Sequence, residues 1–448
     1  MAARRLFVLF PVLLALVVSA PPAAAQPSPK PVTPIEHFVV LMQAGHSFDN
    51  YFGTYPGADG LPPDTCMKLN SGGQSLEDCV RPFHLENPLP DPLDHSESIQ
   101  RRQLHEGKMD GFVDVFRRQG RDGAVAMGYY DDRDIPYYWN VADEYTLFDR
   151  FFSSARAGSR LNHFYWVAGV PTPNNGSERV PPEGYGDIPT IFDRLEAKGV
   201  SWKFYVENYD PTNNLREPSV DGQSSQRTKV PLLNYGRFVD DPRLFGKIVD
   251  LSEYDQDLAN GTLPAVSYVV TSGASETAPA RVQAGQRLVN KMTRQLIQSD
   301  YWSKSAFLLT YDGWGGWYDH VIPPAVDEHG YGFRVPALMI SPYSQRGEVN
   351  HAELDYSAIV RFIQQNWSLE PLVQRPASGD GLMGAFDFTS PPRPAELLAL
   401  DRVTADARGP SAVVYGFYGG AFGVLVLVLV AGLVFRARVR SWFSEVTL

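Results

Sequence analysis

The residues able to do chemistry gather in four polar or glycine-rich segments. Gln43 to Gly53 holds His46, Ser47 and Asp49, and Ala157 to His163 holds Ser159, Asn162 and His163. Thr310 to His320 holds Asp312, Asp319 and His320, and Ile340 to Ser344 holds two further serines. His95 stands apart, in Asp94-His95-Ser96. Hydroxyls, imidazoles and carboxylates serve nucleophilic and acid–base work, and carboxylates also bind hard cations. No Cys/His spacing of a zinc site is present. Each residue also has a structural reading: Ser159 as a turn residue after Gly158, Asp312 as a brace for the following glycine turn, Asp319 and His320 as a hydrogen-bonded pair.

The elements that must position these segments read as alternating strands and helices. Ile35 to Met42 is an apolar strand, followed by strand-like stretches at Val200 to Val206, Ala265 to Val270, Ala306 to Tyr311 and Val335 to Ile340. Asp187 is a candidate cap for a helix through Ile191, Phe192 and Leu195, stopped by Gly199. An amphipathic helix is predicted through Val282, Leu288, Val289, Met292 and Leu296, and another after Asp355 through Ile359, Val360, Phe362 and Ile363. This alternation predicts an α/β fold, with a largely parallel sheet covered by helices on both faces. In such sheets ligands gather at the carboxyl ends of strands, where the four segments fall. Glu207 to Val239, with its Asn, Pro and Ser clusters, reads as a polar surface insertion.

The formal net charge of −11 would repel nucleic acid and argues against a nucleic-acid partner. Arg4 and Arg5, the apolar run from Leu6 and the small residues to Ala25 have the parts of a secretory signal peptide over 1–25. A linker over 26–34 leads to a domain over 35–369. Residues 370–411, rich in Pro, Ala, Gly and Asp, read as a juxtamembrane stalk, parts of which can pack on the domain. The uncharged stretch 412–435, followed by Arg436, Arg438 and Arg440, predicts one C-terminal transmembrane helix and a cytoplasmic tail over 436–448. The expected localisation is therefore the cell membrane, single-pass, with the N-terminal domain outside the cytoplasm. Cys66 and Cys79, the two cysteines, are expected to pair in that oxidising compartment, for about 3 kcal/mol. Asn175-Gly176-Ser177 fits a glycosylation sequon.

Together the four segments resemble the bacterial phosphoesterase family that includes non-haemolytic phospholipases C and a related acid phosphatase. The markers run from about Ile35 to Trp367: Ile35 to Gln43, Ser47 to Gly53, Lys108 to Phe112, Gly128 to Tyr130, Thr310 to Asp312, Tyr318 to His320 and Phe333 to Pro342. The resemblance implies an alkaline-phosphatase-like fold. It also implies hydrolysis of phosphate esters, in which a hydroxyl attacks phosphorus beside a bound divalent metal ion. It places the nucleophile at Ser159 and an acidic metal ligand at Asp312, with His95, His163, Asp319 and His320 as substrate-binding candidates. The pattern is eroded. Ala44, Gly45 and His46 stand where the family has Glu, Asn and Arg. Gly313 stands for a second acid, and Thr277 and Tyr356 stand for histidines. Trp314 and Trp317 replace smaller or polar residues, as filling of the vacated site or as a stacking surface.

The expected function is thus a phospholipase C-like hydrolase of phosphate ester bonds with weakened or absent catalysis. The alternative is a non-catalytic binding protein that recognises lipid, glycan or protein. A structural or adhesive role unrelated to the cleft is the third reading.

Overall fold

The computed structural model describes residues 29–68, 79–87, 90–172, 180–217, 225–277, 281–376 and 378–402. Eight strands form the main sheet: β1 (His37–Gln43), β2 (Thr146–Phe148), β3 (Trp202–Val206), β4 (Ile248–Asp250), β5 (Val266–Val270), β6 (Ser305–Tyr311), β7 (Ala337–Ile340) and β8 (Glu348–Asn350). Their spatial order is β8-β2-β7-β6-β1-β5-β3-β4. β1 pairs in parallel with β5 on one side and β6 on the other, with Gln43 opposite Tyr311. β7 runs antiparallel to both its neighbours, β6 and β2. The remaining pairings, β5 with β3, β3 with β4 and β8 with β2, are parallel.

β5 and β6 are buried along their whole length, and β1 is buried from Phe38 onward. Continuous apolar runs are what parallel strands covered on both faces require. The expected α/β sheet is present. The predicted helices are also present, at Ile191–Lys198, Val282–Gln298 and Tyr356–Asn366. The first is capped by Thr190, not Asp187: the Thr190 hydroxyl and the Asp193 carboxylate serve each other's backbone amides. The insertion after Glu207 is not polar throughout. Val230, Leu232, Leu233, Tyr235 and Phe238 are fully buried, so the segment's polar first half leads into a run that packs in the core.

The membrane reading needs correction. The expected transmembrane helix over 412–435 lies outside the described residues, as do the signal peptide, the cytoplasmic tail and the sequon. Among the described residues no helix is long and apolar enough to cross a membrane. The Val282–Gln298 helix has 17 residues, or about 26 Å, and its exposed positions carry Arg287, Lys291 and Arg294. It is amphipathic because one side packs against the protein. The described residues form an α/β domain with no membrane-spanning helix among them, so the single-pass localisation expected from one is not supported. Over 370–402, the described part of the expected stalk packs on the domain. Arg375 pairs with Asp327 and Asp355, and Arg393 pairs with Glu144.

Candidate functional site at the carboxyl end of the sheet

β1 and β6 end side by side, and the chain turns after each. Asp312 follows β6, and its amide donates to the Gln43 carbonyl at 2.8 Å. The Asp312 carboxylate is buried, and each of its oxygens has a hydrogen-bond partner. Oδ1 accepts from the Gly45 amide at 3.0 Å, and Oδ2 lies 3.3 Å from His163 Nε2. Burial pushes this carboxyl up. The His163 hydrogen bond and the charges of His163, Lys229 and His95 more than offset it and hold the pKa at about 2.

His163 comes from the Ser159–Ala168 helix, one turn after Ser159. Burial lowers its pKa, against the hydrogen bond and charge of Asp312. In the neutral ring that donates from Nε2, Nδ1 is an acceptor, and it meets no partner among the described residues. Ser159 is the first residue of this helix and is half-buried. Gly158 before it has no side chain to cap the helix. Arg160 is 4% exposed. Lys229 arrives from the Ser225–Lys229 helix and donates to the Thr271 carbonyl, just beyond β5, at 2.6 Å. Burial lowers its pKa, while Asp312 and Glu207 act to raise it.

Most positions where the resemblance finds losses have a structural occupant. Gly45 has φ +63°, and a Cβ there would lie 2.7 Å from Thr277 Oγ1, which is itself bonded to the Ala44 carbonyl. His46 bridges Asn50 Oδ1 at 2.7 Å and the Glu276 carbonyl at 3.2 Å, and burial holds its pKa down at about 4. The Tyr356 hydroxyl donates to the Tyr311 carbonyl at 2.5 Å. Trp314 and Trp317 are buried, and the Trp314 indole donates to Gln103 Oε1 at 2.7 Å. Gly313 alone faces open space, with nothing within 4 Å of an added Cβ. The donor set thus does not fit a divalent cation at Asp312. A hard cation takes about six oxygens. Here Asp312 has no second acid at Gly313, and Ala44 and Gly45 offer no ligand side chain.

The other predicted residues lie apart from this cluster. His95 is exposed; its ring sits edge-on to Trp314 at 6.5 Å, and its charge reaches Asp312. Asp319 and His320 belong to a buried ion network. Arg334 donates to Asp319 Oδ1 and Asp49 Oδ1, each at 2.9 Å, while His320 Nδ1 lies 2.7 Å from Asp49 Oδ2. No hydrogen bond or ion pair joins that network to Asp312 among the described residues. Asp49, Asp319 and His320 bring three ligand-type atoms within 4.8 Å of one another, as do His84, Asp131 and Asp134. In the first group Arg334 already supplies the positive charge.

Three features escape a reading of the sequence. Lys229 lies in an insertion with no motif. Arg160 reads as an ordinary basic residue beside a serine. The third is Glu276, fully buried at φ +69° and bonded by the hydroxyls of Tyr51 at 2.7 Å, Tyr311 at 2.9 Å and Tyr138. It fixes the loop after β5 against the ends of β1 and β6. A cavity of about 610 Å³ adjoins the cluster, lined by Ala157, Leu161, Gln100, Arg156 and His329. Ser159, His163 and Asp312 do not line it.

Phospholipase C B of Mycobacterium tuberculosis is 27% identical over 431 residues, covering 83% of this chain and 81% of its own. Non-hemolytic phospholipase C of Pseudomonas aeruginosa is 26% identical, covering 80% of this chain and 58% of its own. A solved structure of a protein in the alkaline phosphatase superfamily from Vibrio parahaemolyticus overlays 78% of this chain and 71% of its own, at 12% identity and a TM-score of 0.40. That last likeness is too loose to bear on the site. The Phosphoesterase family profile spans residues 35–370, from before β1 to beyond the last helix of the sheet, and Ser159, His163 and Asp312 all lie inside it. By that match the chain belongs to the Phosphoesterase family.

Proposed function

We propose that this chain recognises phosphate esters of the phospholipase C-like class and hydrolyses them weakly or not at all. The observation that carries the reading is the Asp312 carboxylate, bonded by Gly45 and His163, with Gly313 in place of a second acid. Family membership supports the ester class, and the names of the relatives support a phospholipid headgroup or a smaller phosphate ester. A nucleophilic hydroxyl approaching an anionic phosphate needs charge stabilisation held in place. Losing one such group costs on the order of a hundred- to a thousandfold in rate.

The test is turnover of p-nitrophenyl phosphate and p-nitrophenylphosphorylcholine with magnesium, calcium, manganese or zinc supplied. Rates near background, unchanged by Ser159→Ala, are expected. Robust turnover abolished by Ser159→Ala would replace this reading with that of a working hydrolase using Ser159. The half-buried position of Ser159 at a helix start, one turn from His163, favours that second reading.

A further inference from the structure

Arg160 is buried, and among the described residues its Nε and Nη1 meet no hydrogen-bond partner and it forms no ion pair. A buried guanidinium left in that state is costly, because its desolvation is not repaid. Side chains on a helix lean toward its N-terminus, so Arg160, the second residue of Ser159–Ala168, leans toward the uncapped end. Its charge reaches His163 one turn on, and also Arg227. Lys229 is the second cation. Among the described residues it has no ion pair and bonds the Thr271 carbonyl alone, and its charge reaches both His163 and Asp312.

The surroundings are therefore those of an anion site. The charges of Arg160 and Lys229 converge on His163, and the carboxylates beside them are Asp312 and Glu207, whereas a divalent-cation site needs several carboxylates free of such cations. The first amides of a ten-residue helix, with glycine as the cap, add their own preference for negative charge.

We infer that Arg160, Lys229 and the start of the Ser159–Ala168 helix bind a phosphate group directly, without a metal ion. This rests on the phosphate-ester reading and deepens it: the positive charge is supplied by side chains of the protein. The ligand is a tetrahedral phosphate oxyanion, either free or as the headgroup of an ester.

The experiment uses the full chain, stripped with EDTA and dialysed into metal-free buffer. Inorganic phosphate and phosphocholine are titrated separately by calorimetry, which distinguishes the free anion from a headgroup. Binding in metal-free buffer is expected, changed less than about twofold by added magnesium or calcium. Arg160→Gln and Lys229→Gln should each weaken it by at least about tenfold, with Arg160→Lys intermediate. Thermal unfolding gives a second readout. Without phosphate, Arg160→Gln should raise Tm, since it removes an uncompensated charge, and phosphate should then raise Tm for the native chain only. A structural arginine would lower Tm on replacement, and that result would overturn the inference. So would phosphate binding that requires a divalent ion, although the phosphate-ester reading would survive it. Failure to bind either ligand under any condition would remove both. Metal-free binding in a chain that nonetheless hydrolyses esters briskly would leave this inference standing and remove only the weak-catalysis reading.

Discussion

The Gly45 amide donates to Asp312 Oδ1 at 3.0 Å, so the turn after β1 itself bonds the carboxylate that the family resemblance assigns to a metal. Gly45 holds this position at φ +63°, with Thr277 Oγ1 where a Cβ's neighbour would be. Restoring the family pattern is therefore uneven. Gly313→Glu enters open space. Gly45→Asn meets the Thr277 hydroxyl and should lower stability by about 1–3 kcal/mol, with Thr277→Ala recovering part of it. The expected outcome is that Ala44→Glu with Gly313→Glu gains manganese after dialysis, measured by elemental analysis, while the native chain retains well below one ion per molecule. One tightly held ion in the native chain would refute the misfit.

Glu276 should impose a pH dependence on stability. Burial pushes its carboxyl up, to about 7, even though three tyrosine hydroxyls act to lower it. Between the ordinary carboxyl value near 4.5 and about 7, the folded chain holds a proton that the unfolded chain has released. Stability contributed by this residue is thus full below about 4.5 and falls as pH rises to about 7, by roughly 3 kcal/mol at most. Glu276→Gln should flatten that part of a urea-denaturation profile. An unchanged slope across the window would show that another group is responsible.

Asp312 acts in the opposite direction. Its carboxyl is held down at about 2, so its contribution is present above the ordinary value of 3.8 and is lost as pH falls toward about 2. Asp312→Asn should abolish that acid limb while leaving the Glu276 window intact. Denaturation of the variant between pH 2 and pH 5 measures it.

Much of the sheet was legible because its central strands are buried on both faces and read as apolar runs between turn residues. Thr146–Phe148 and Glu348–Asn350, three residues each, are too short to show a pattern. Nothing in Ala337–Ile340 announces that it runs antiparallel. At the site, Asp312 and His163 were legible as motif residues and do meet. Their neighbours were not. Lys229 approaches from far along the chain through an insertion, and the lack of a counter-charge at Arg160 among the described residues is a property of packing. The bonds of Asp319 to Arg334 and of His320 to Asp49 were not legible either, because a short motif does not show which distant residues it meets.

Cys66 and Cys79 are joined across a Cα separation of 5.5 Å and close a short loop. Thiol labelling of the unfolded, unreduced chain should find no free sulfhydryl. Reduction, or replacement of both by serine, should cost about 3 kcal/mol. Two labelled thiols in the unreduced chain would refute the pairing.

Arg334 supports the most demanding prediction about the scaffold. Its guanidinium is fully buried, bonds Asp319 and Asp49, and donates from Nη1 to the Asp59 carbonyl at 2.7 Å and the Asp149 carbonyl at 2.8 Å. It also lies over the Phe48 ring, 4.6 Å from its centroid. Arg334→Met would leave two buried carboxylates facing each other and should cost on the order of 3–5 kcal/mol. Arg334→Lys should rescue little, because a single ammonium cannot reproduce the fork that meets both carboxylates and both carbonyls. Removing the remaining charges as well, in Arg334→Met with Asp49→Asn and Asp319→Asn, should recover a large part of the loss, since the penalty belongs to Asp319, left without a cation, and to Asp49, left with His320 alone. Urea denaturation of the set measures each difference. If zinc instead restored Arg334→Met to native stability, the Asp49, Asp319 and His320 group would be a metal site that the arginine blocks. If the triple variant recovered nothing, the arginine's bonds to the two carbonyls would be its main contribution.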